Sequence, residues 1–202
     1  AWTMLQSLLS FVSWFIFFIT IEHLGAQALA VSNVVRSISA VPFIVVMAFA
    51  STGSAFVSNA LGTDGGSPIG AICRKTTILC YAACLPVVLA GVLFPALLLQ
   101  LYTDNEQLVN MAVNPLYVMF SSYFITVPAF VLYYTVSGTG NTFSSLIIGL
   151  LSLTVYCIYI VMIGKDGSSL LWLWASEHMY ALSILILSAI YLWRFDWRRK
   201  IV

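Results

Sequence analysis

Of the chain's 202 residues, 61% are hydrophobic and only 7% are charged, against about 25% charged in an average soluble domain. A soluble globular fold is excluded, because its exposed apolar patches would exceed the roughly few hundred Å2 that monomers tolerate; the solvent must be lipid. The formal net charge of +1 comes from scattered lysines and arginines, with no basic stripe to suggest nucleic acid as a partner.

A spanning helix needs about 20 apolar residues, and the gaps between charges locate the candidates in chain order. The first covers about 1–21 and is closed by Glu22-His23-Leu24-Gly25. The second covers about 28–61; a start nearer Ala26 would place Arg36 inside the membrane or near its interface. A polar loop, Thr63-Asp64-Gly65-Gly66-Ser67-Pro68, precedes the third span at about 76–102 and leaves Cys73 in a loop. Between Glu106 and Lys165 lie 58 residues without a charge. As helix they would measure about 87 Å, against the roughly 30 Å of one crossing, so the segment folds back on itself. The turn is written at Ser137-Gly138-Thr139-Gly140-Asn141, two glycines among small polar residues. Spans four and five are then about 108–136 and 142–164. The sixth, about 169–193, is followed by a tail rich in arginine and lysine from Arg194 to Lys200. Trp174 and Trp193 lie about 28 Å apart along that helix and read as two interfacial aromatic belts. The fold class expected is an all-α membrane protein, a single bundle of six transmembrane helices over residues 1–202.

With six spans both termini share one side. That side carries Arg74, Lys75, Arg194, Arg198, Arg199 and Lys200, and the other has Lys165, with Arg36 added if it reaches the interface. The positive-inside rule makes the termini cytoplasmic. Ala1 begins directly in a hydrophobic run with no basic n-region, so no cleavable signal is read there; without an initiator Met the chain is expected to start partway through a longer protein.

Prolines fall within the spans at Pro42, Pro86, Pro95, Pro115 and Pro128. Each removes a backbone hydrogen bond, so they read either as bends around a cavity that changes shape or as ordinary kinked packing. Ala50-Ser51-Thr52-Gly53-Ser54-Ala55 is a small-residue cluster of the kind that lets helices approach closely. The cysteines Cys73, Cys80, Cys84 and Cys157 lack metal-ligand spacing and read as small buried hydrophobes. Glu177 and His178 are the only ionisable pair well inside an apolar stretch. An intramembrane carboxylate is costly and suggests ion coupling, but three residues past Trp174 it could equally reach headgroups or water. Motifs of hydrolases, metalloproteases and phosphate loops are absent from the sequence, and adjacent residues on a helix point about 100° apart. The chain is therefore not read as an enzyme, and no metal or cofactor is expected.

Several stretches resemble, in order, the second half of the multidrug and toxic compound extrusion (MATE) family. They are Leu24-Gly25-Ala26-Gln27-Ala28-Leu29-Ala30, Val41-Pro42, Ser54 to Gly62, Leu101-Tyr102-Thr103-Asp104-Asn105-Glu106, Gly138-Thr139-Gly140-Asn141-Thr142 and Leu171-Trp172-Leu173-Trp174-Ala175. The resemblance implies the C-terminal six-helix lobe of a twelve-helix exporter, with a substrate cavity between two lobes. The activity it implies is antiport of organic compounds driven by a Na+ or H+ gradient, in a plasma membrane, as in the bacterial inner membrane. The partners it implies are the lipid bilayer, small organic substrates and an N-terminal lobe of the same polypeptide. Some members carry acids in the seventh and tenth helices; those places fall near Ser10 and Thr126, where this chain has none. Coupling carboxylates are therefore expected in the other lobe, with Glu177 the remaining candidate here. The cavity is expected to be lined by Trp14 and Phe15 and by Tyr123, Thr126, Tyr133 and Tyr134, whose rings can stack on planar or cationic compounds. The alternatives are half of a lipid-linked saccharide flippase, which would need a strongly basic cavity, a self-dimerising six-helix membrane subunit, or a membrane enzyme using Glu177 and His178.

Overall fold

The computed structural model describes residues 2–64, 68–165 and 169–194, with the side chains of 2–10, 13, 64 and 165 left aside. Within these the chain is helical almost throughout: α1 (Trp2–Glu22), α2 (Ala26–Asp64), α3 (Ile69–Leu93), α4 (Pro95–Gln100), α5 (Glu106–Gly138), α6 (Thr142–Lys165), α7 (Leu170–Trp174) and α8 (Ser176–Arg194). Five segments are long and apolar enough to cross a bilayer: Ala26–Thr63, Ile69–Leu93, Glu106–Gly138, Thr142–Gly164 and Leu170–Arg194. To these α1 adds a further helix of 21 residues. The molecule is an all-α membrane bundle.

Local chemistry sets the reversals. Gly25 has φ 106° and Gly140 φ 83°, left-handed conformations in which a side chain is strained. After Gly140, Asn141 Oδ1 accepts from the Ser144 N–H at 3.1 Å, opening α6. Asn105 caps α5 in the same way, accepting from the N–H groups of Gln107 and Leu108 at 3.0 and 3.3 Å. Glu106 in the first turn adds a favourable charge at the positive end of the helix dipole.

The third span differs from the expectation. It begins at Ile69, so Arg74 and Lys75 lie inside the helix and Cys73 is helical, its sulfur 3.2 Å from the Thr135 hydroxyl. Charges can occupy the first turns of a membrane helix, and a charge gap therefore understates its length. At the other end the helix breaks at Phe94, whose φ −131° and ψ 55° are non-helical. Pro95 imposes that break by crowding the residue before it, and itself opens α4.

Helix α5 is the hub. Of its spanning residues 61% are buried, against 17–33% in the other four, and it packs on α2, α3, α4, α6, α7 and α8. The small-residue cluster of α2 makes close contacts on two sides. A Cβ at Gly53 would meet Thr76 at 3.1 Å, and one at Gly138 would meet the Ser54 carbonyl at 2.6 Å. Close backbone approach is what these residues provide.

Tyrosines answer the prolines. Pro128 cannot donate to the Phe124 carbonyl four residues earlier, and Tyr81 Oη from α3 donates to it instead at 2.5 Å. Pro42 opens the turn of α2 that contains the Ser39 carbonyl, which accepts Tyr123 Oη from α5 at 2.6 Å. The Val92 carbonyl, in the last turn of α3 before Pro95, accepts Tyr117 Oη at 3.4 Å. In lipid a freed carbonyl needs a protein partner; Tyr81 supplies one at Phe124 and Tyr117 one at the end of α3, whereas Pro42 frees the Ile38 carbonyl and Tyr123 bonds the carbonyl next to it.

Candidate functional site: an aromatic cavity with two charges

Helical periodicity carries one stripe of each wall into a common cavity of about 430 Å3. From α2 come Arg36, Ser39, Ala40, Phe43 and Met47, and from α5 come Met119, Tyr123, Thr126, Phe130, Tyr133 and Tyr134. Both sets follow spacings of about three and four residues, one face of a helix. Phe11 and Trp14 of α1, Tyr156 of α6, and Glu177, Tyr180 and Ala181 of α8 complete the wall. The volume falls within the roughly 300–1,000 Å3 of small-molecule sites.

The rings pack edge-on and hold one another. Phe43 meets Phe130 at 5.3 Å, Tyr133 meets Tyr134 at 6.0 Å, and Tyr156 meets Tyr180 at 5.6 Å between centroids. Gly149 lets α6 pass this layer, since a Cβ there would fall 2.8 Å from Tyr133 Oη. Tyr123 is fixed at its far end by Ser39, so its ring is a static part of the wall.

Two ionisable side chains reach the same space and have different partners. Glu177 Oε1 accepts from Tyr156 Oη at 3.3 Å. The Arg36 guanidinium lies 4.6 Å from the Trp14 ring centroid and 5.1 Å from that of Phe18, within cation–π range. Aromatic faces satisfy the cation without using up its hydrogen-bond donors.

Trp14, Tyr123, Thr126, Tyr133, Tyr134 and Glu177 all border the cavity. Phe15 does not; it is 67% exposed on the outside of α1, one helical step of about 100° from Trp14. The Ser10 side chain lies outside the described residues. The belt reading of Trp174 is corrected. Trp174 is fully buried, its ring 5.0 Å from Phe17, and the exposed indole at this end is Trp172. A short helix ending at Trp174 and a turn at Ala175 rotate Trp174 inward. Glu177, two residues into the next helix, follows it into the cavity rather than out to the headgroups. His178 goes elsewhere: its Nε2 is 2.9 Å from Ser121 Oγ on α5, so the two neighbours do not converge on one reaction centre. Among the described residues no three His, Cys, Asp or Glu side chains come together to hold a metal ion.

Ser39, Phe43, Phe130, Tyr156 and Tyr180 belong to the wall without being singled out by the sequence, and Arg36, which the sequence puts in the membrane or near its interface, joins them as a cavity residue. The signal for the α2 set was present, as Arg36, Ser39, Ala40, Phe43 and Met47 share one helical face with a charge in a span.

A protein-family model, MatE, matches residues 3–163 of the chain. The chain belongs to the MatE family of membrane transporters. No curated protein matches it. Helices α7 and α8, and with them Glu177, lie beyond the matched residues.

Proposed function

We propose that the chain is the C-terminal lobe of a MATE-type secondary exporter that moves organic compounds in exchange for Na+ or H+. The observation that carries this reading is the aromatic cavity, walled by five of the bundle's helices and holding a carboxylate and a guanidinium. Its aromatic rings suit planar compounds, and its size admits a drug-sized molecule. The charge count favours cytoplasmic termini, and the family resemblance implies a plasma membrane and a second lobe of the same polypeptide facing the cavity. A flippase of lipid-linked saccharides fits less well, because one arginine is a small positive field for a pyrophosphate. The test is dye efflux from cells carrying the complete transporter. Trp14→Ala and Tyr134→Ala are each expected to lower efflux of an aromatic cation about 3- to 30-fold, the size of a lost stacking or cation–π contact of about 0.7–2 kcal/mol. Phe15→Ala is expected to leave efflux within about twofold, and equal losses in all three would count against the cavity.

A further inference from the structure

We propose that Cys80 and Cys84 of α3 form a binding site for a soft, two-coordinate divalent cation of the mercuric type, held between their two sulfurs. The residues are four apart, so their side chains leave the helix about 40° apart, with Cβ atoms roughly 5–6 Å from each other. Both are buried, at 0% and 3% exposure, and they face α2. The Cys80 thiol donates to Cys84 Sγ, and the Cys84 thiol donates to the Pro42 carbonyl of α2 at 3.7 Å. Each sulfur has one proton, so the relay has one direction, from Cys80 through Cys84 to Pro42.

The chemistry of the pair selects its occupant. Thiolates favour soft ions. Metal–sulfur bonds of about 2.3 Å put the sulfurs of a linear complex about 4.6 Å apart, a separation that fits between these two Cβ atoms. Among the described residues no third His, Cys, Asp or Glu joins them, and a structural zinc ion asks for four ligands. Charge completes the choice. From Thr76 to Leu93 α3 carries no charged residue, and a coordinating thiol is deprotonated. In this apolar seam a monovalent ion would leave a net negative charge buried, whereas a divalent ion cancels both thiolates. The step is M2+ + 2 RSH → M(SR)2 + 2 H+: two metal–sulfur bonds form, two S–H bonds break, and both protons leave to solvent. Loading also takes from the Pro42 carbonyl its donor on α3, which ties the site to the proline turn of α2. Ile78, Leu79 and Leu85 beside the pair are exposed on the outside of the bundle, and mercuric chloride is uncharged, so the ion has a way in through the bilayer.

The test uses the complete transporter in lipid nanodiscs, with Cys73 and Cys157 replaced by serine. Mercuric chloride is added and loosely held metal is stripped with excess glutathione. This protein is expected to keep one mercury more per chain than its Cys80→Ser/Cys84→Ser variant, with two protons released per ion in a weakly buffered titration. Cys80→Ser and Cys84→Ser singly are each expected to weaken retention at least about 100-fold, the advantage of two linked contacts over one. Serine keeps a hydroxyl donor at each place, so the melting temperatures of the variants are expected to stay near that of the parent. The unsubstituted transporter gives a second reading by mass spectrometry: the peptide bearing both cysteines is expected to gain the mass of one mercury less two hydrogens. Equal retention in either single variant, or two mercury atoms on that peptide, overturns the shared site. Complete loss of mercury from the unsubstituted protein in the glutathione wash overturns it as well.

Discussion

Gly91 of α3 passes directly over the ring of Phe120, the buried aromatic beside the cavity tyrosine Tyr123. A Cβ at that position would overlap the ring itself, and Phe120 has no room to retreat because it is 1% exposed in the hub helix. Overpacking of this kind costs about 1–3 kcal/mol or more. Gly91→Val is therefore expected to lower the melting temperature of the purified protein markedly. Gly70→Val, with nothing within 4 Å of its Cβ position, is expected to be far milder; similar drops in thermal unfolding for the two would contradict the packing. Glu177 belongs to the same scale. A side chain three residues from a tryptophan takes its surroundings from the direction that tryptophan faces, and sequence spacing alone assigned Trp174 to the membrane surface. The turn at Ala175 sends both inward.

At the scale of elements, what was legible is the rhythm of charge, glycine and proline. The turns at Gly25 and Gly140 and the fold-back of the long uncharged segment follow from residues whose chemistry acts locally. What was not legible depends on neighbours distant in sequence. The break at Phe94 needed the proline read as a helix opener rather than as a kink. The α2 wall needed the rotation of α2 about its axis, which only packing against α5 sets. The aromatic residues of α5 could be picked out by type, whereas Tyr156 and Tyr180 look from sequence like many other tyrosines in apolar runs. The tyrosine–proline pairs give an element-scale prediction. Tyr81→Phe is expected to cost about 0.6 kcal/mol and up to about 1.7, as for other hydrogen bonds between membrane helices. In a Pro128→Ala background the Phe124 carbonyl regains its own helical donor, and the same substitution is expected to cost close to nothing. A double-mutant cycle on unfolding free energy reads the coupling directly; two independent, additive losses would remove the link between phenol and proline.

The whole molecule poses the questions of sidedness and completeness. With the native cysteines replaced by serine, an impermeant maleimide applied to intact cells is expected to modify cysteine placed at Asp104, in the connection between α4 and α5. It is expected to spare one placed at Lys75, near the start of α3. The reverse pattern would invert the proposed orientation. Because the proposed export path lies between two lobes, the 202-residue chain reconstituted alone in liposomes is expected to show no gradient-driven dye efflux. Efflux by the chain alone would favour a self-assembling subunit over a lobe.

Helix α2 has 39 residues, about 58 Å of helix against a hydrocarbon core of about 30 Å. Its segment from Pro42 to Thr63 would be an arm of about 32 Å if the helix bent at Pro42, beside the Ser39 carbonyl that Tyr123 holds. Geometry makes this arm an amplifier: a change of about 10° at the pivot sweeps its tip by about 5–6 Å. The tight seam between Ser54 and Gly138 lies partway along the arm, so it is the first joint such a swing would open.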